Sequence, residues 1–272
     1  MRIVIDLQAA QGTNRQRGIG RYAMEFAAAL ARWRGPHEIL IALNGRLGDS
    51  IMEIRAAFRG VLPRDAFRIW TAPGPLAAID PANGSRARDA ALIREAFLAS
   101  LKPDVVVVTS LFEGLVDDVA TSIGTFATLP TAVILYDLIP LHDADGLMTN
   151  PLAWGWYMDK IAQLQRADLL LAISDASARD CVASLDMPAG RIETILAASS
   201  DQFAPVSLTP DRRAALMARY ALDRDFLMCT GGSEPRKNAK GLIAAFARLP
   251  AEVRRQHQLA MVYNVEDRDR ED

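Results

Sequence analysis

Short apolar runs alternate with longer amphipathic stretches along almost the whole chain, and this alternation restricts the fold more than any other feature. Candidate strands lie at 2–7, 38–43, 67–71, 104–109, 132–136, 169–173 and 192–195. Helical patterns fill the intervals at 19–33, 50–59, 86–101, 151–166 and 176–185. Val105 to Val108 is a continuous β-branched run, which suits a strand covered on both faces. Strands and helices alternating in this way predict an α/β fold, a Rossmann-like parallel sheet covered by helices on both faces. In the first helix, Tyr22, Phe26, Ala29, Leu30 and Trp33 recur at helical spacing and mark the expected buried face.

The pattern changes after Ile195. Residues 197–223 are rich in Ala, Ser, Asp and Pro, with one helical pattern at 212–220. A new strand–helix–strand sequence then follows at 226–230, 239–248 and 258–263. The expected organisation is a first domain over 1–200, a connection over 201–224, and the start of a second Rossmann-like domain over 225–272. One β-α-β unit cannot bury both faces of its strands, so the second domain is expected to be incomplete within these residues.

Charge and cysteine usage exclude several classes. The formal net charge of −2 over 272 residues gives no reason to expect nucleic acid as a partner. Cys181 and Cys229 stand far apart in apolar segments, outside any metal or redox spacing, and read as reduced core thiols of a cytoplasmic protein. The amino terminus reads as a strand rather than a leader. The longest apolar runs fall far short of the about 20 residues that cross a bilayer, which leaves only peripheral association with the inner membrane open.

Two loops carry chemistry. The first, 8–20, ends in Gly18-Ile-Gly20-Arg-Tyr22 at a helix start, where amide groups and the helix dipole favour an anion. Arg15, Arg17 and Arg21 add guanidinium forks suited to phosphate or carboxylate. A nicotinamide-binding reading of Gly18-x-Gly20-x-x-Ala23 fails: ten residues separate Leu7 from Gly18, and the second strand ends in Leu43-Asn44-Gly45 without an acidic residue. A turn with solvated arginines is the plain alternative. The second loop, Thr230-Gly-Gly-Ser-Glu-Pro-Arg-Lys-Asn238, lies between a strand and a helix. Gly231 and Gly232 permit close backbone approach, Arg236 and Lys237 stand at the helix mouth, and Asn238 is a candidate cap. Two cations beside a helix start make a receptor for a diphosphate; an exposed turn with solvated cations is again the alternative.

In order, the Arg2-Ile-Val-Ile-Asp6 strand, the Gly-Ile-Gly-Arg-Tyr loop, Tyr136-Asp-Leu-Ile-Pro140, Arg166-Ala-Asp168 before Ala172-Ile-Ser174, and Gly-Gly-Ser-Glu-Pro-Arg-Lys-Asn resemble one family. They are similar to the family 4 (group 1) retaining glycosyltransferases of GT-B architecture, especially members that build bacterial surface polysaccharides. The resemblance runs to about Tyr263. It implies transfer of a hexosyl group, with GDP-mannose the suggested donor, from a nucleotide sugar to a saccharide or lipid-linked acceptor. The amino-terminal domain would hold the acceptor, and Gly18 and Gly20 would face the donor phosphates. Lys237 would match the family's diphosphate-binding lysine, and Tyr136-Asp137 would stand where many relatives carry His-Asp. Three departures matter: Gly231 replaces a phosphate-binding arginine, leaving more to Arg236; Tyr136 replaces the histidine; and the chain ends before a Glu-x7-Glu motif. A non-catalytic binding fragment is the rival reading.

The implied chemistry needs no cofactor and no metal, because cations and helix-end amides would stabilise the departing diphosphate. Asp143-x-Asp145 mimics a metal-binding pair, but such pairs recur by chance at Asp223 and Asp267. Asp137 would orient the acceptor or sugar hydroxyls, with capping of its own turn the plain alternative. Glu113, in Ser110-Leu-Phe-Glu-Gly114, follows a strand's carboxyl end, where open parallel sheets place ligand contacts. Trp154, Trp156 and Tyr157 read as helix packing, with an acceptor platform as the minor alternative. His142 reads as a surface residue.

Overall fold

The computed structural model describes residues 1–200, 203–231 and 237–262. Seven strands of the first part pair in parallel: β1 (Arg2–Asp6), β2 (Glu38–Asn44), β3 (Phe67–Trp70), β4 (Val105–Val108), β5 (Thr131–Leu135), β6 (Leu169–Ala172) and β7 (Ile192–Thr194). Their order is β3-β2-β1-β4-β5-β6-β7. The expected α/β Rossmann-like parallel sheet is present. Every residue of β5 and the run Val106 to Val108 are buried, as two-sided cover requires.

The helices of this sheet are α1 (Gly18–Arg32), α2 (Ile51–Ala57), α3 (Gly84–Ser100), the single turns α4 (Ile139–His142) and α5 (Ala144–Leu147), α6 (Pro151–Leu164) and α7 (Asp175–Leu185). Local chemistry sets their starts. Pro151 opens α6 behind Asn150, whose side chain accepts from the Leu152 amide at 2.8 Å. Ser174 caps α7 by accepting from the Ser177 amide at 3.1 Å.

The buried face of α1 corrects the sequence reading. Its fully buried row is Gly20, Ala23, Ala27 and Ala31, while Tyr22, Phe26 and Leu30 are only partly covered and Ala29 and Trp33 are exposed. Small residues at three- and four-residue spacing let the helix backbone lie close to the sheet, and the larger side chains flank that contact. Counting bulky apolar residues therefore marked the wrong stripe.

The chain divides into two compact units, Met1–Ser200 and Asp201–Asp272. The second contains α8 (Pro210–Arg219), β8 (Asp225–Thr230), α9 (Ala239–Ala247), α10 (Ala251–Gln256) and β9 (His257–Val262). β8 and β9 pair in parallel with each other. Cys181 is fully buried in the first unit, Cys229 is half-buried in the second, and neither is in a disulfide. Among the described residues no helix is long and apolar enough to cross a membrane.

Candidate functional site

Strand order reverses between β1 and β4, so the loops leaving these two carboxyl ends diverge and leave a crevice. A cavity of about 320 Å³ opens there. The loop after β1 supplies Thr13, Asn14 and Arg17, and α1 supplies Ile19. The segment after β4 supplies Ser110 and residues 112–117, and the end of β5 supplies Tyr136 and Asp137. Trp156 and Tyr157 of α6 also line it. All of these residues belong to the first unit.

The connection between β4 and β5, residues 109–130, contains no helix, so buried polar side chains must satisfy its backbone. Gln8 does so at Ala120, donating to its carbonyl at 2.8 Å and accepting from its amide at 3.1 Å. Lys160 of α6, almost fully buried, donates to the Thr121 carbonyl and, at 2.9 Å, to the Thr121 hydroxyl. Burial pulls its ammonium down to about 7, with Arg94 adding to the effect. Glu95 of α3 accepts from the Ser122 hydroxyl at 2.6 Å and from the amides of Thr125, Phe126 and Ala127. Burial pushes the Glu95 carboxyl up, but these four donors outweigh it and hold the group below its ordinary value. Beneath the loop, Arg94 and Asp6 form a fully buried ion pair at 2.5 Å.

Glu113 stands on this platform at the cavity wall, 3% exposed. Oε2 accepts from Asn14 Nδ2 at 2.9 Å and Oε1 from Ser110 Oγ at 2.9 Å. Desolvation pushes its carboxyl up to about 7; Asn14 and Ser110 oppose that shift and Asp117 adds to it. Gly114 follows at φ 92°, and a Cβ there would collide with the Val119 carbonyl, so the turn that presents Glu113 needs glycine. Asp117 holds the opposite loop: its Oδ2 accepts from the Thr13 amide at 2.7 Å and its Oδ1 from the Val119 amide at 3.2 Å.

Tyr136 is a latch. Its hydroxyl donates toward the carbonyls of Thr109, at 3.0 Å, and Ile19, at 3.2 Å, joining the ends of β4 and β5 to the start of α1. Burial, then the nearby Glu113, drives its phenol far above the ordinary range, so it stays neutral and does not replace a titrating imidazole. Ser177 Oγ donates to the Tyr136 carbonyl at 2.6 Å. Asp137 is exposed, and its Oδ1 accepts from the Ile139 amide at 3.2 Å. It therefore caps its own turn while lining the cavity. Tyr157, 3% exposed, packs its ring 5.0 Å from Phe112, and its buried hydroxyl finds no acceptor among the described residues.

The remaining sequence candidates scatter. Gly20 is buried, and a Cβ there would lie 2.5 Å from the Asn14 oxygen, so this glycine serves loop-to-helix packing. Its amide is turned back onto the same Asn14 oxygen at 3.2 Å. Gly18 and Arg21 are exposed and lie outside the cavity wall, where Arg17 stands instead. His142 is a surface residue paired with Asp180 at 2.7 Å. In the second unit Lys237 and Gly231 are exposed. Asn238 occupies the cap position of α9 at φ 52° without a side-chain cap bond. Gly232 and Arg236 lie outside the described residues. Sequence reasoning missed Asn14, Asp117 and Lys160, which sit in segments without periodicity or in a helix read only for packing.

A family model described as a glycosyl transferase 4-like domain matches residues 17–197. The chain belongs to this family. Among its relatives, the serotype-specific mannosyltransferase WbdA of Escherichia coli is 32% identical over 98% of this chain and 32% of its own length. A second WbdA from the same organism is 31% identical over 89% of this chain and 30% of its own length. The chain thus spans about a third of the length of these curated relatives. A crystal structure of Anabaena HepE in complex with UDP and glucose matches with TM-score 0.59 at 14% identity, covering 100% of this chain and 63% of that one. WaaG, a glycosyltransferase involved in lipopolysaccharide biosynthesis, matches with TM-score 0.58 at 14% identity, covering 100% of this chain and 65% of that one. These two likenesses establish a shared fold.

Proposed function

We propose that this chain is the acceptor-binding unit and the first part of the donor-binding unit of a hexosyltransferase in surface polysaccharide synthesis. The single observation that carries the reading is the cavity at the reversal of strand order, walled by Glu113, Tyr136, Asp137 and aromatic rings, in a chain of the glycosyl transferase 4-like family. Convergent polar groups on an apolar wall suit a sugar, whose ring has apolar faces and a polar hydroxyl rim. The donor is a nucleotide-diphosphate sugar, with GDP-mannose favoured because the relatives above are named mannosyltransferases. The acceptor is a saccharide or a lipid-linked saccharide.

Lys237 and Arg236 contact the donor diphosphate in this reading, with Gly231 and Gly232 allowing close approach. Positive charge held in advance near the leaving diphosphate stabilises the charge that develops as the sugar–phosphate bond breaks. Transfer proceeds with retention and without metal, the acceptor hydroxyl approaching from the leaving-group side. Asp137 orients a sugar hydroxyl through the oxygen not engaged by Ile139.

The test is mannosyl transfer from radiolabelled GDP-mannose to short mannosides by this chain and by a form extended to the length of the relatives. Transfer by the extended form is expected; its absence with every nucleotide sugar tried would defeat the reading. Binding without turnover is the second reading for the 272 residues themselves. It is favoured by the exposure of Phe226, Leu227 and Met228, three consecutive apolar residues of β8. Saturable GDP binding with no transfer by this chain would select it.

A further inference from the structure

Lys160 lies behind the cavity, 6% exposed and not itself part of the lining, yet two parts of the wall depend on it. Its amino group donates to the Thr121 carbonyl and, at 2.9 Å, to the Thr121 hydroxyl. That hydroxyl in turn donates to the Leu111 carbonyl at 2.7 Å, an atom that can only accept, so the order of donors runs from Lys160 through Thr121 to Leu111. Leu111 opens the 111–114 turn that carries Glu113. The Lys160 nitrogen also stands 5.9 Å from the centre of the Trp156 ring, one helical turn earlier on α6. Residues 112–114 and Trp156 all line the cavity.

The number of partners favours one protonation state. Two oxygens accept from Lys160, which is what a neutral amine with two N–H groups requires. An ammonium carries a third N–H, and among the described residues only the ring face of Trp156 is left for it. The charged groups around the nitrogen come from every element packed on it: Asp6 at the end of β1, Arg94 and Glu95 of α3, Glu113 of the connection and Asp159 of α6. Burial, then Arg94, pulls the ammonium from its ordinary 10.5 down to about 7, against the opposing pull of Asp159, Glu113 and Asp6.

We propose that Lys160 is an acid-sensitive latch: as a neutral amine it ties α6 to the 109–130 connection at Thr121, and by taking up a proton it favours a loosened wall in which the 111–114 turn and the Trp156 ring are no longer held. The latch belongs to the first unit alone and is independent of the donor and acceptor assigned above. Linkage sets its direction. In the closed wall the nitrogen loses its proton near 7, whereas in a loosened wall, open to water, it keeps the proton to about 10.5. The loosened form therefore binds more protons between those limits. The ratio of closed to loosened wall rises about tenfold for each pH unit above 7, and below 7 Lys160 adds no further slope. Glu113 loses its own proton near 7, so from pH 8 upward the slope belongs to Lys160.

The experiment is an NMR study of the 272-residue chain from pH 6 to 9.5. Its lysines are Lys102, Lys160, Lys237 and Lys240, so ε-13C-labelled lysine gives four signals. The one missing in Lys160→Gln is expected to titrate near neutrality and the others near about 10.4. Hydrogen exchange is followed at the amides of Ala120 and Ile123, which lie on either side of Thr121 and donate to Gln8 and to Gln163 of α6. After correction for intrinsic exchange, their protection is expected to rise about tenfold per pH unit between 8 and 9.5 while staying below that of the β5 amides. Lys160→Gln, which keeps two N–H donors and never charges, is expected to abolish the rise, and Glu113→Gln to leave it in place. A Lys160 signal that titrates with the other lysines overturns the latch, as does flat protection in the wild type. So does a rise that persists in Lys160→Gln or disappears in Glu113→Gln. Protection equal to that of β5 overturns it too, because the connection would then open only as the whole unit unfolds. The exchange slope and the comparison with β5 are read in the wild type, so they decide the matter even where a variant fails to fold.

Discussion

A methyl group added at Gly20 would lie 2.5 Å from the Arg15 Cα and the Asn14 oxygen, both backbone atoms that cannot step aside alone. At Gly18 the same addition meets nothing within 4 Å. Gly20→Ala is therefore expected to destabilise by about 1–3 kcal/mol, and Gly18→Ala to leave stability unchanged or raise it by about 0.4–1 kcal/mol, both read by urea unfolding. Equal effects would contradict the loop geometry. Glu113 gives a pH-dependent case. Its folded value lies near 7, above the ordinary 4.5, so the folded chain holds a proton that the unfolded chain has lost between those limits. Stability from this residue is highest below about 4.5 and declines as pH rises to 7. Glu113→Gln removes that loss, so its stability relative to wild type should improve by a few kcal/mol between pH 4.5 and 7.5. A constant difference across that window would show that the carboxyl titrates elsewhere. In the second unit, Lys237→Ala should weaken nucleotide-diphosphate binding by ~1.5–3 kcal/mol by calorimetry.

At the scale of elements, the 109–130 connection decides the site, and its support is the Arg94–Asp6 pair. Asp6 ends β1, Arg94 sits in α3, and Arg94 also donates to the Ser122 carbonyl at 3.0 Å. Truncating Arg94 to Leu leaves a buried aspartate without its partner and a loop carbonyl without its donor. A loss of about 3–5 kcal/mol is expected by thermal or denaturant unfolding; a loss under about 1 kcal/mol would mean water replaces the guanidinium. The strands were legible in the sequence because two-sided burial writes continuous β-branched runs such as Val105 to Val108. Helices with long periodic patterns were legible for the same reason. The single-turn helices α4 and α5 and the short α10 were not, since a turn or two cannot display a period. Nor was the cavity wall. Glu113 and Tyr136 could be placed by their position after strand ends, but Asn14, Asp117 and Lys160 matter through contacts across 39 to 104 residues of chain. Such pairings leave no local mark. The bulky stripe assigned to α1 failed because close packing selected its small residues, a choice made by the sheet it meets.

For the whole molecule, the contrast between the two units is one of cover. In the first, β4 and β5 have buried residues on both faces, and the seven strands share one core. In the second, among the described residues, β8 and β9 pair only with each other, and Phe226, Leu227 and Met228 are 40%, 51% and 64% exposed. A two-strand parallel pair with so little burial has few contacts to offset the entropy of ordering it. The opening free energies of the two units should therefore differ widely. Amide hydrogen exchange followed by mass spectrometry is expected to show β1, β4 and β5 protected over hours and β8 and β9 exchanging at least a hundredfold faster. Residues 203–209, exposed and without regular structure, should be the first cut by a sparing protease, leaving the first unit intact. Addition of GDP should slow exchange in β8 and β9 if the loop carrying Lys237 binds a diphosphate, because a ligand that binds only the folded form stabilises it by mass action. Protection in β8 and β9 equal to that of β4 before any ligand is added would show that the second unit is held by something other than its own core.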